Sequence, residues 1–267
     1  MAEIRVDHVF FSYDKRTGWA LNDVSLDLGG ESTAFIGQNG AGKSTLMKLL
    51  KGLLVPERGD ILINGKNTKD TSAAKLAGEI GLIFQNPNEQ IFKHKVFDEV
   101  AFGPRRIMDA REAEARTAAA LRTVGLFHKK DVNPYDLSLS ERKLVAAASV
   151  LAMDTDIVIF DEPTMGQDEK GIRTLKAILE DLKGQGKLVL AVLHDMAFAA
   201  ECFERIVVMA HGEILLDGPP EAVFANEEAL KKAGVEPPPV MQLAIRCGFT
   251  ERPVTKESFL RLYYERR

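Results

Sequence analysis

Cysteine is scarce in this chain. The two in 267 residues, Cys202 and Cys247, lie far apart and show no metal-ligand spacing. That excludes a disulfide framework and a zinc finger, and it suits a reducing compartment. Long apolar runs are missing as well. The longest, Leu144 to Met153, is ten residues, against roughly 18 for a membrane-spanning helix. The N-terminal segment has no apolar core after its first charges, so no signal peptide is expected. Positive charge is not in excess: 35 Lys and Arg against 39 Asp and Glu leave a net charge of −4. Nucleic-acid binding needs clustered positive charge, so no nucleic-acid partner is expected. There is no internal repeat and no low-complexity segment.

What is present is an ordinary soluble composition, 45% apolar and 28% charged, in a chain long enough to bury a core. Val24, Leu26 and Leu28 alternate with Ser25 and Asp27, as in a half-buried strand. Residues 3–36 therefore read as strands and turns, with Gly29-Gly30 as a turn. Thr33 to Ile36 is a short apolar strand that ends in glycine. A helix follows Gly42, with Leu46, Met47, Leu49 and Leu50 on one side and Gly52 past its end. Further strands are expected at 61–63, 80–84, 157–160 and 188–193, with a hairpin at 206–216 turning on His211-Gly212. Helices are expected at 109–124, 137–152 and 169–183. Strands alternating with helices give an α/β fold with a mostly parallel core sheet and an antiparallel β part at the N-terminal end. Pro237-Pro238-Pro239 should break the chain before a C-terminal piece.

The strongest chemical signal is Gly37-Gln38-Asn39-Gly40-Ala41-Gly42-Lys43-Ser44-Thr45. It matches G-x-x-x-x-G-K-[ST], the P-loop, between an apolar strand and an apolar-striped helix. The glycines let backbone N–H groups face phosphate oxygens, and the helix N-terminus adds partial positive charge. Lys43 can reach the β- and γ-phosphates of ATP, and Ser44 can ligate Mg²⁺. The second signal is the apolar run Ile157 to Phe160 followed by Asp161-Glu162-Pro163. A carboxylate at the C-terminal end of a buried strand lies where α/β sheets bind ligands. Asp161 is expected to hold Mg²⁺ through water, and Glu162 to act as general base on an attacking water.

With Gln85, His194 and Leu137-Ser138 added, the chain resembles the ATPase subunit of ABC transporters, from Tyr13 to Gly218. The resemblance implies a P-loop NTPase with a helical subdomain at about 86–155 in an ATPase domain of 1–228. The extension 229–267 would then be a possible dimerisation element. It also implies that Tyr13 stacks on adenine. Gln85 would sense Mg²⁺ and the attacking water, Asp168 would lie at the dimer contact, and His194 would hydrogen-bond the γ-phosphate. Each has a plainer alternative: a half-exposed strand tyrosine, a polar turn residue, a helix N-cap, and a histidine beside a cap.

Residues 84–92 and 97–104, with Met165-Gly166-Gln167-Asp168 and the proline-rich stretch before Val240-Met241-Gln242-Leu243, look like the energy-coupling-factor group of importers. Those serve transition metals such as cobalt and nickel, or vitamins. The signature of the family is L-S-G-G-Q. Here it reads Leu137-Ser138-Leu139-Ser140-Glu141, so both glycines are replaced and a carboxylate stands where glutamine is usual. Leu139 removes backbone freedom. At about 4 Å and an effective dielectric of 20, two unit charges repel by about 4 kcal/mol, so Glu141 should weaken binding of the opposite subunit's γ-phosphate.

A heterodimer with a second ATPase subunit is the economical expectation, and a homodimer with two slow sites is the alternative. Transmembrane transporter subunits would be the other partners, with this chain on the cytoplasmic face of the membrane. Two other readings compete: a soluble ABC protein acting on nucleic acid or the ribosome, and a simple P-loop kinase. The first would need tandem ATPase units, a long coiled coil or a basic arm. The second leaves His194 and the signature segment unexplained.

Overall fold

A computed structural model describes residues 2–14 and 18–265. In chain order the first elements are β1 (Glu3–Phe11), β2 (Leu21–Gly29), β3 (Thr33–Ile36), α1 (Lys43–Leu50), β4 (Arg58–Ile63), β5 (Lys66–Asn67) and β6 (Ile80–Ile83). Then come α2 (Val96–Ala101), α3 (Ala110–Thr123), α4 (Leu139–Leu151), β7 (Ile157–Asp161), α5 (Glu169–Gly184), β8 (Leu188–Val192) and α6 (Met196–Cys202). The last are β9 (Arg205–Ala210), β10 (Glu213–Gly218), α7 (Pro220–Phe224), α8 (Glu227–Lys232), α9 (Pro239–Arg246) and α10 (Lys256–Glu265). Two compact units result, one from Glu3–Thr71 with Val192–Arg267, the other from Ser72–Ala191.

In the first unit, β2, β1, β4 and β5 form an antiparallel sheet in that order. Ile4 pairs with Leu28 on one side and Ile63 on the other. The alternation read at 24–28 is real: Val24, Leu26 and Leu28 are buried, Ser25 and Asp27 exposed. The β4–β5 turn takes left-handed values at both Asn64 (φ 48°) and Gly65 (φ 77°), the geometry that suits a tight hairpin. β3 runs parallel to β9, and β9 returns through His211-Gly212 to β10.

The second unit holds β6 and β7 in parallel, Ile80 opposite Ile157, with β8 on the other side of β7. Every residue of β6, β7 and β8 is buried, as expected of strands covered on both faces. In α5, Leu175, Ile178, Leu179 and Leu182 are buried, the spacing of one helical face. α2, α3 and α4 pack on one another, and α4 packs on β6.

The prolines at 237–239 do more than break the chain. Pro239 opens α9 with Pro238 as its N-cap, because the first helical turn has no use for the missing N–H. Among the described residues, no helix is long and apolar enough to cross a membrane.

Candidate functional site: a phosphate loop and an acidic strand end

β3 delivers the loop. Gly37 has φ 146°, and a Cβ there would lie 2.1 Å from the Met209 carbonyl oxygen. Gly42 has φ 102°, and its Cβ would meet the Ala20 carbonyl oxygen at 2.7 Å. Only glycine fits either position, so the loop lies tight on neighbouring backbone. Gln38 N–H donates to Ala233 O at 3.1 Å, and Ala41 N–H to Gln38 O at 3.2 Å. Gln38, Asn39 and Gly40 form the exposed crest.

Lys43 is buried, and its ammonium donates to Gly37 O at 2.6 Å and Gln38 O at 3.0 Å. α1 has no side-chain N-cap bond and no acidic residue in its first turn. A helix start with no carboxylate, reached through left-handed glycines and carrying a lysine, suits a polyphosphate. Thr45 Oγ1 lies 3.2 Å from the Tyr13 hydroxyl. Tyr13 is 61% exposed, and its ring meets that of Phe11 in a T-shaped contact. His194 is exposed just after β8, where Asp195 caps α6 by accepting from Phe198 N–H at 3.0 Å.

The second constellation lies at the end of β7. Asp161 is a buried carboxylate. Glu162 takes φ 49°, left-handed for a residue with a Cβ. Its Oε2 accepts from Gln85 Nε2 at 2.8 Å, and its carbonyl accepts from Lys143 Nζ at 2.9 Å. Lys143 is buried, which pulls its ammonium below the ordinary lysine value, while Glu162 and Asp161 pull the other way. Among the described residues, no three His, Cys, Asp or Glu side chains cluster as a metal cage. Mg²⁺ needs none, because it takes one or two protein oxygens and fills the rest with phosphate and water. The buried Asp161 carboxylate and the Ser44 hydroxyl are donors of that class.

The 137–141 segment starts α4. Ser138 is the N-cap and forms a reciprocal capping box with Glu141. Lys129 Nζ lies 2.5 Å from Glu141 Oε1 and holds that carboxyl below its usual range. The unopposed charge expected at Glu141 is therefore a paired one, and its repulsion of a phosphate is smaller than the sequence implied. Ser140 is buried; its hydroxyl lies 2.6 Å from Gln167 Oε1 and 3.3 Å from Asp168 Oδ1. Asp168 caps α5, accepting from Gly171 N–H at 2.7 Å. A Cβ on Gly166 would lie 2.9 Å from Leu139 Cδ2, so the leucine covers the turn before α5.

The structure thus joins Gln85 to Glu162, Ser140 to Asp168, and Tyr13 to Thr45. Sequence reasoning missed Lys143 and Lys129, and it named Gln167 only as part of the 165–168 motif, without its bond to Ser140. Lys143 left a trace, as a charge at the edge of the apolar run 144–153.

A family model described as "ABC transporter" matches residues 21–165. A Pyrococcus furiosus protein, assigned by name to the ABC transporter ATP-binding proteins, is 38% identical over 92% of this chain and 94% of its own length. The energy-coupling factor transporter ATP-binding protein EcfA2 of Methanospirillum hungatei is 38% identical over 84% of this chain, which spans 58% of that relative.

Two solved structures are similar. CbiO1 of Clostridium perfringens, part of the ABC transporter complex cbiONQ, has a TM-score of 0.75 and 33% identity, covering 86% of this chain and 93% of that one. The ATP-binding cassette MJ0796, seen as a dimer after hydrolysis with ADP and Pi, has a TM-score of 0.73 and 27% identity, covering 81% and 98%.

Proposed function

The chain belongs to the ABC transporter family as an ATP-hydrolysing subunit, and from that premise we propose that it energises an energy-coupling-factor importer for a transition-metal ion or a vitamin. The fold is that of the family's P-loop ATPases. The observation that carries the reading is the phosphate loop: left-handed glycines packed on backbone, a buried Lys43, and a helix start free of acidic residues.

In this reading Gly37 to Thr45 bind the ATP phosphates through backbone N–H groups and Lys43, and Tyr13 stacks on adenine. Ser44, Gln85 and Asp161 would hold Mg²⁺, which supplies charge neutralisation on the phosphates when bound. Glu162 accepts a proton from water as the water oxygen attacks the γ-phosphorus and ADP leaves. Gln85 steadies the Glu162 carboxylate, which already accepts its amide. His194 hydrogen-bonds the γ-phosphate. ABC ATPases work in pairs, so Ser138, Leu139, Ser140, Glu141 and Asp168 would meet a second ATPase subunit.

A heterodimer fits best. Its altered signature would complete the partner's site poorly, while an intact partner signature would complete this one. The ATPase domain is assigned to 1–228, its helical subdomain to about 86–155, and dimerisation to 229–267. Coupling runs through 85–104 to transmembrane subunits on the cytoplasmic face. The same motifs, residues 84–104 and the 165–168 turn, support the energy-coupling-factor assignment.

The test is Glu162→Gln. It should keep ATP affinity and nearly abolish turnover, because the phosphate cradle stays and the water loses its base. Near-normal steady-state hydrolysis would remove Glu162 from this role. Co-purification of membrane subunits with the tagged chain tests the importer assignment.

A further inference from the structure

Glu162 stands in a backbone conformation that residues with a Cβ adopt reluctantly, φ 49°. Such strain persists only where the surroundings hold it in place. Its carboxylate and its carbonyl have separate holders. Gln85 donates to Oε2 at 2.8 Å, from an exposed position. The carbonyl accepts from Lys143 Nζ at 2.9 Å, and Lys143 is buried, 6% exposed. A buried ammonium is costly unless it is bonded, and a bond from a charged donor is stronger than one between neutral groups. The chain thus places a charged donor where it fixes the peptide that follows Glu162.

We propose that Lys143 is a positioning residue for hydrolysis: its ammonium holds the left-handed turn at Glu162 and so sets the direction from which that carboxylate meets water. The proposal rests on the reading of Glu162 as general base. Lys143 lies in α4 two residues beyond Glu141. The helix that begins with the altered signature therefore also carries the anchor of this chain's own base. Lys143 fills this role without touching nucleotide.

The experiment uses the full-length chain with its co-purified partners and ATP as the probe. Lys143→Met keeps length and removes the donor. It should lower kcat on the order of tenfold to a hundredfold, the worth of one charge-assisted hydrogen bond, with KM for ATP and the melting temperature close to wild type. Lys143→Arg, which restores a charged donor, should recover most of the rate. In the Glu162→Gln chain, adding Lys143→Met should leave ATP affinity unchanged.

A folded Lys143→Met chain with kcat within about twofold of wild type would overturn the proposal. So would a loss that falls on KM, or no recovery with arginine. If Lys143→Met does not fold, Lys143→Gln and Lys143→Arg replace it, and equal rates from a neutral and a charged donor would overturn the charge requirement. The two readings separate cleanly. Normal turnover by Glu162→Gln removes the base assignment itself. An inactive Glu162→Gln beside a normal Lys143→Met removes only the role of Lys143.

Discussion

The Ser140 hydroxyl donates to Gln167 Oε1 across 2.6 Å. Glycine, the usual residue at that signature position, has no hydroxyl and could not make this bond. The departure from the family sequence therefore welds the start of α4 to the turn before α5, where Asp168 also lies within 3.3 Å of the same hydroxyl. Leu139 adds to the weld by covering Gly166. The two segments proposed to face a partner subunit are thus fixed to each other.

That weld bears on asymmetry. In a mixed dimer, disabling Glu162 should cost most of the ATPase activity, and disabling the partner's matching glutamate should cost little. Restoring Leu139→Gly, Ser140→Gly and Glu141→Gln together should speed the slow site, chiefly because it returns the backbone freedom of a close approach. It should also cost about 2 kcal/mol of stability, from two glycines in a helix start and one lost hydrogen bond. Single-site ATPase rates and urea melts of the purified complex measure both effects. Equal losses from the two glutamate variants would mean that the sites work together, or that the active unit is a homodimer.

Lys43→Ala should weaken nucleotide binding itself. The lysine contributes a charge to the phosphates rather than a proton acceptor, and its removal leaves Gly37 O and Gln38 O without their buried donor. Titration with a fluorescent ATP analogue should show the loss. Unchanged affinity together with unchanged hydrolysis would contradict a P-loop site.

Asp154 accepts from Arg116 and from Lys187, each at 2.7 Å. Burial pushes its carboxyl up, but the two cations outweigh that and hold it below the usual range. A lowered carboxyl stabilises the fold above the unfolded pKa, and this is lost as pH falls through the folded value. Asp154 takes φ 54°, which asparagine tolerates, so Asp154→Asn isolates the charge. The expected loss is about 1 kcal/mol at neutral pH, kept small by solvent screening at a half-exposed side chain. Denaturant melts at neutral and acid pH should show the difference shrinking on acidification.

Burial pushes the Lys51 ammonium down from 10.5 to about 8. Between those values the unfolded chain binds more protons than the folded one, so stability rises with pH across that window. Relative to Lys51→Met, the wild type should gain up to about 3 kcal/mol from pH 8 upwards. Melts of both chains from pH 7.5 to 10.5 check the sign. A flat difference would refute the shift.

The sequence by itself determined most of the strands, the longer helices and the nucleotide loop. Each depends on local rules: alternation along β2, a fully apolar β7, and glycines at the two loop positions where a Cβ would strike backbone. It also marked Asp168 as a cap, because a capping carboxylate acts on amides three residues away. Only the tertiary structure decided which distant residues share a bond. Lys143 and Glu162 are 19 residues apart, Gln85 and Glu162 are 77, and Ser140 and Gln167 are 27. Lys129 lies twelve residues before Glu141, so the charge that looked unopposed along the chain is neutralised in space. Spacing along a helix or strand is written in the sequence because its geometry is periodic. Pairing across loops is not, because it depends on where packing brings their ends.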